Sequence, residues 1–146
     1  MRLDGWPEKL MALVDAHQHA PHAWGSHDCV MFAGKATEVV TGVDFVAQFR
    51  GTYATEEEAE AILDREGGIE PWCVKHFGPP VPVGLARRGD LLIGPSPQGA
   101  EWLAVCVGQH GVVPGERYEA DGAKLVLVPG LVKFPLSRFR AAFRVD

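Results

Sequence analysis

The sequence predicts an α+β fold, with helices in the N-terminal half packed on a small antiparallel sheet of about five strands. Three observations carry this. Apolar residues recur at helical spacing up to about Gly78. A stiff Gly78-Pro79-Pro80-Val81-Pro82 segment then breaks the chain. From Arg88 onward short apolar runs alternate with turns, as strands do. The helical half (about 1–78) and the strand half (about 88–146) form a single domain over residues 1–146, because neither half alone can bury its apolar face.

The elements follow in order. Asp4-Gly5-Trp6-Pro7 starts a helix, Pro being tolerated in the first turn, and Leu10, Leu13, Val14 and His17 mark its buried face before Pro21. The central helix runs from about Asp28 to Thr41. Cys29, Phe32, Ala33, Ala36, Val39 and Val40 give it a wide apolar face, and Gly42 stops it. Val43 to Tyr53 is irregular, anchored by Phe45, Val46 and Phe49. Thr55-Glu56-Glu57-Glu58 is a capping box opening a third helix that ends at Gly67-Gly68. Ile69 to Phe77 forms a short helix bearing Trp72 and Cys73. Strands are expected after Asp90, over Trp102–Val107, from Val112, over Lys124–Val128, and at the edge over Ala142–Val145. Gly108-Gln109-His110-Gly111 reads as a turn.

Composition excludes several classes. The net charge of −5 and the scattered Lys and Arg leave no basic stripe for nucleic acid. No apolar run is long enough to span a membrane. The opening Met1-Arg2-Leu3-Asp4 lacks the layout of a signal peptide. Cys29, Cys73 and Cys106 are odd in number and lack metal-type spacing, so no disulfide framework is expected and synthesis in a reducing cytoplasm is the default. No cofactor is implied.

The chemistry concentrates at Trp24-Gly25-Ser26-His27-Asp28-Cys29-Val30-Met31-Phe32-Ala33. Asp28 or Ser26 can cap the helix, which places Cys29 in its first turn. Free N–H groups and the helix dipole favour a thiolate there, the usual setting of a cysteine nucleophile. A small buried cysteine packing helix against sheet fits the same residues. His17, His19, His22 and His27 lie close together before Cys29. Imidazole and thiolate are zinc ligands, which makes a metal-binding module an alternative, although the spacing matches no metal signature.

In order and spacing these motifs resemble the NlpC-type cell-wall peptidases, a branch of the papain-like cysteine hydrolases. Trp24-Gly25 precedes the Asp28-Cys29 pair at the start of the central helix. Gly42-Val43 follows that helix. Arg88-Gly89-Asp90-Leu91 opens the first main strand. Trp102-Leu103-Ala104-Val105-Cys106-Val107-Gly108 stands where the family has His-Val-Gly-Ile-Tyr-x-Gly, and Phe134-Pro135-Leu136 through Arg144-Val145 resembles the family's end. The resemblance covers the chain from about Trp24 onward. It is greatest to the reduced versions encoded in phage and prophage tail clusters.

The resemblance implies a papain-like fold with Cys29 at the nucleophile position. It also places Trp102 where the family's general-base histidine stands, and Val112-Val113-Pro114 offers no polar group to orient a base. A thiol nucleophile needs a base within hydrogen-bond reach, and indole cannot accept a proton. His110, reaching back across a turn, and His27, beside Cys29, are the substitute bases to test. Two functions follow as expectations. One is a non-catalytic structural protein of a phage-type tail tip or tail assembly, bound to hub, tip or fibre proteins in the virion tail. The other is an active cysteine hydrolase cutting peptidoglycan stem peptides, with the Cys29 backbone N–H in its oxyanion hole.

Overall fold

The computed structural model describes residues 1–146 and is an α+β fold. Four helices, α1 (Trp6–Ala16), α2 (Cys29–Thr41), α3 (Glu56–Glu66) and α4 (Ile69–Phe77), precede five strands. The strands are β1 (Leu91–Pro95), β2 (Glu101–Cys106), β3 (His110–Asp121), β4 (Lys124–Pro135) and β5 (Ala141–Phe143). They form one antiparallel sheet in the order β4-β3-β2-β1-β5. No helix is long and apolar enough to cross a membrane.

Three of the helices have a local start signal. The Asp28 carboxylate caps α2 by accepting the Met31 N–H at 2.8 Å, and the helix ends at Gly42. Thr55 caps α3 by accepting the Glu58 N–H, while Glu58 reaches back to the Ala54 N–H and the Thr55 hydroxyl. The Asp4-Gly5 start of α1 resolves to Gly5 as the residue before the helix.

The sheet has two apolar faces because β2 alternates between them. Leu103 and Val105 face the main core, with Leu91, Ile93, Val112 and the buried side of α2: Met31, Phe32, Ala33, Ala36 and Val40. Ala104 and Cys106 face a second, smaller cluster with Leu92, Val113, Phe139 and Ala142. The stiff Pro-rich segment helps cover this face: Val81 bridges Ala142 of β5, and Val81 and Val83 pack on the cluster.

Arg88-Gly89-Asp90-Leu91 acts as a structural knot. Asp90 is fully buried. It accepts the Arg87 and Val145 N–H groups and the Arg2 guanidinium, the last at 2.8 Å, so one carboxylate ties both ends of the chain to the start of β1.

Two strands depart from the sequence reading. β3 and β4 are each twelve residues long and pair along their whole length from His110↔Pro135 to Asp121↔Lys124. β4 therefore runs well beyond Val128. β3 begins at His110, so the turn before it is shorter than read and His110 and Gly111 are strand residues. The outer half of this ribbon leaves Tyr118, Leu125 and Leu127 exposed.

Candidate functional site

The segment before α2 is built around Asp28. Its carboxylate, 2% exposed, accepts the Gly25 N–H at 2.9 Å, the Met31 N–H at 2.8 Å and the Tyr53 hydroxyl at 2.5 Å. A buried carboxylate needs such donors. Gly25 is required here on two counts: its φ is +82°, and a Cβ would stand 1.9 Å from the Tyr53 carbonyl oxygen. Tyr53 was not anticipated as part of this site. It lies in the irregular stretch after α2 and meets Asp28 only through tertiary folding. Burial, then its bond to Asp28, holds its hydroxyl strongly toward the neutral form.

Cys29 follows as the first residue of α2, as the sequence predicts. The expectation of a stabilised thiolate is corrected. Burial pushes the thiol up to about 12, and the nearby Asp28 charge adds to the shift. The backbone N–H groups of Leu103, Val30 and Cys29 itself act the other way and are outweighed. The helix start favours a thiolate far less where packing against the second cluster leaves Cys29 only partly exposed. The Leu103 contact also places Cys29 against β2, next in chain to Trp102. Cys29 and Trp102 pack on the same second cluster, with the Trp102 ring 5.3 Å from that of Phe134.

Neither substitute base reaches the sulfur. His27 is 6% exposed, and its ring stacks on His17 at 5.0 Å and meets the edge of Phe32 at 5.6 Å, so it is a packing residue between α1 and α2. Both its ring nitrogens are buried without a partner, and desolvation, with His17 next, lowers its pKa to about 4. His110 is exposed at the start of β3, where its carbonyl accepts the Val107 N–H. Val107 is four residues along from Leu103, a span of about 13 Å at the rise of a strand. His110 is therefore at the wrong end of β2 to serve Cys29.

The four histidines do not converge either. His17 bonds the Leu13 carbonyl through Nδ1, His19 meets Arg117, His22 packs edge-on against Trp24, and His27 is enclosed. No group of three or more His, Cys, Asp or Glu side chains is arranged to hold a metal ion. The metal-module alternative is corrected on that geometry: His17 and His27 stack on each other, while His19 and His22 turn to Arg117 and Trp24.

An open cleft of about 590 Å³ lies beside Trp102. Trp24, Trp102 and Phe134 form its aromatic wall, and Glu56, Glu101 and Glu116 face it as well. Cys29 is not among the residues that line it.

A family model described as a domain of unknown function, DUF6950, matches residues 1–145. The chain belongs to the DUF6950 family. No curated protein and no solved structure matches it. The match covers helices, sheet and both termini, so in this DUF6950 chain the Asp28 cap, the Asp90 knot and the cleft all lie within one family domain.

Proposed function

We propose that this chain is a non-catalytic protein of NlpC-type fold that serves in building or plugging a phage-type tail tip, bound to hub, tip or fibre proteins in the virion tail. The NlpC-type assignment draws on the order of its motifs and is compatible with a capped cysteine opening a helix that packs on an antiparallel sheet. The observation that carries the non-catalytic reading is the setting of Cys29: a half-buried thiol that desolvation pushes up to about 12, with neither His27 nor His110 bonded to it. A hydrolase of peptidoglycan stem peptides needs that thiol ionised and reachable.

Deletion of the coding sequence from a prophage that carries it tests the reading. Loss of infectious particles, with tails arrested or incomplete in electron micrographs, is expected. Complementation with Cys29→Ala restores the titre given by the unmodified chain. Normal tails without the chain would sink the tail-tip role, and failure of a folded Cys29→Ala chain to complement would restore the hydrolase.

A further inference from the structure

β2 and β3 are neighbours in the sheet, yet their ladder holds only Val105↔Val112 and Cys106↔Gly111. Beyond these pairs the two strands part, and the cleft lies along the parting. Glu101 and Trp102 form one lip, and Val113, Pro114, Gly115 and Glu116 form the other. Strand alternation decides which backbone groups face the gap. Cys106 donates to the Asp90 carbonyl and its own carbonyl accepts from Gly89, both away from β3, so Leu103 and Glu101 turn toward β3. The His110 carbonyl accepts from Val107 on the β2 side, so Pro114 and Glu116 turn toward β2. The Leu103 N–H lies toward the Cys29 sulfur. The N–H and C=O of Glu101 and Glu116 and the C=O of Pro114 remain for a ligand. Pro114, with no N–H to give, is tolerated because no strand pairs with it there.

The side chains add a charge preference. No Lys or Arg lines the cleft. Glu101 is neutralised by Arg140, whereas Glu56 and Glu116 take part in no ion pair. Unpaired carboxylates beside Trp24 and Trp102 suit a cation, which gains from both the charge and the ring faces, whereas the Phe134 ring already carries the Arg138 guanidinium at 5.3 Å.

We propose that the cleft docks an extended segment of a partner protein, seated between β2 and β3 and presenting a Lys or Arg side chain to Glu56, Glu116, Trp24 and Trp102. The free strand-edge groups select a peptide backbone, and the carboxylates select its cationic side chain. The inference rests on the non-catalytic reading, since the segment is held and not cut.

Immobilised full-length chain is challenged with heptapeptide pools of random flanks whose central residue is fixed as Lys, Arg, Ser or Glu, and the retained peptides are weighed by mass spectrometry. The Lys and Arg pools are retained about tenfold over the Ser and Glu pools. The double variant Glu56→Gln/Glu116→Gln, at two exposed positions, removes that preference. Glu57→Gln/Glu60→Gln, equal in charge and outside the cleft, keeps it. Equal retention of all pools, a preference that survives in the cleft variant, or one lost equally in both variants overturns the docking proposal and leaves the non-catalytic reading intact. Shortened peptides in the eluate overturn the non-catalytic reading instead.

Discussion

The Tyr53 hydroxyl donates to the Asp28 carboxylate from twenty-five residues away, and this bond joins the irregular stretch after α2 to the cap of α2 itself. Asp28 has two further donors, both backbone, and no cation at hydrogen-bond distance. Tyr53→Phe keeps the ring and removes one donor from a buried charge. The expected loss is about 1–3 kcal/mol of stability, read as a lower urea midpoint with an unchanged slope. An unshifted midpoint would mean that water replaces the hydroxyl and that the carboxylate is less enclosed than it stands here.

The thiol of Cys29 gives a prediction in two parts. With its pKa raised to about 12, the folded chain holds it protonated through neutral pH, so iodoacetamide labels it far more slowly than it labels a free thiol. Urea near the midpoint releases the reaction. The linkage has a definite sign. A folded pKa above the unfolded value, about 8.5 for a free thiol, contributes stability below that value, and the contribution is lost as pH rises toward 12. Cys73, buried and likewise pushed up to about 12, acts in the same window. Stability should therefore fall on the alkaline side, and less steeply in Cys29→Ala. Rapid labelling of the folded chain at neutral pH would refute both parts.

The helices were legible because their signals are local. Thr55 with Glu58, Asp28 before an apolar run, and Gly42 and Gly67 after one are read within a few residues, and all four stand at helix ends. β1 and β2 were legible as apolar runs because both strands are covered on two faces. The outer part of β3 was not, since Glu116-Arg117-Tyr118-Glu119-Ala120-Asp121 is exposed and polar in pattern. Its one signal was Asp121-Gly122 before Lys124-Leu125. A glycine at φ +64° in a two-residue turn is a hairpin marker. At the site, the sequence placed Cys29 correctly at a helix start, yet the fate of its sulfur depends on Leu103, seventy-four residues on. No local pattern carries that contact, nor the one between Tyr53 and Asp28.

His27 predicts the acid side. Its ring is enclosed by His17 and Phe32, and desolvation, followed by the charges of His17, Lys35 and His22, lowers its pKa to about 4 against the opposing pull of Asp28. A folded pKa below the unfolded value leaves the fold's preference for neutral imidazole intact above pH 6.5, the ordinary value. That stability is lost as pH falls from there to about 4. The unfolded chain binds the proton that the folded chain refuses. His27→Phe keeps a ring against His17 and Phe32 and should flatten the fall over this window. Proton NMR of the His27 ring should show no titration above about pH 5. A midpoint near 6.5 would show that water enters the α1–α2 contact.

Asp90 carries the largest expected single effect. It is fully buried and gathers Arg2, the Arg87 N–H and the Val145 N–H, so residues from both termini converge on one carboxylate. Arg2 has only 13% of its side chain exposed, and burial lowers its pKa while Asp90 raises it again. Removing one member leaves the other charged and without its partner. Asp90→Ala should cost about 3–5 kcal/mol, and Arg2→Ala a comparable amount less what water recovers around Asp90. Because Arg2 also donates to the Val145 and Arg88 carbonyls, Arg2→Ala should release the C-terminus in particular. Amide exchange at Val145 and through β5 is the measurement. Faster exchange there than in β2 identifies Arg2 as the tie between the chain ends. Uniform acceleration across the sheet would mean that the pair supports overall stability and holds no end in particular.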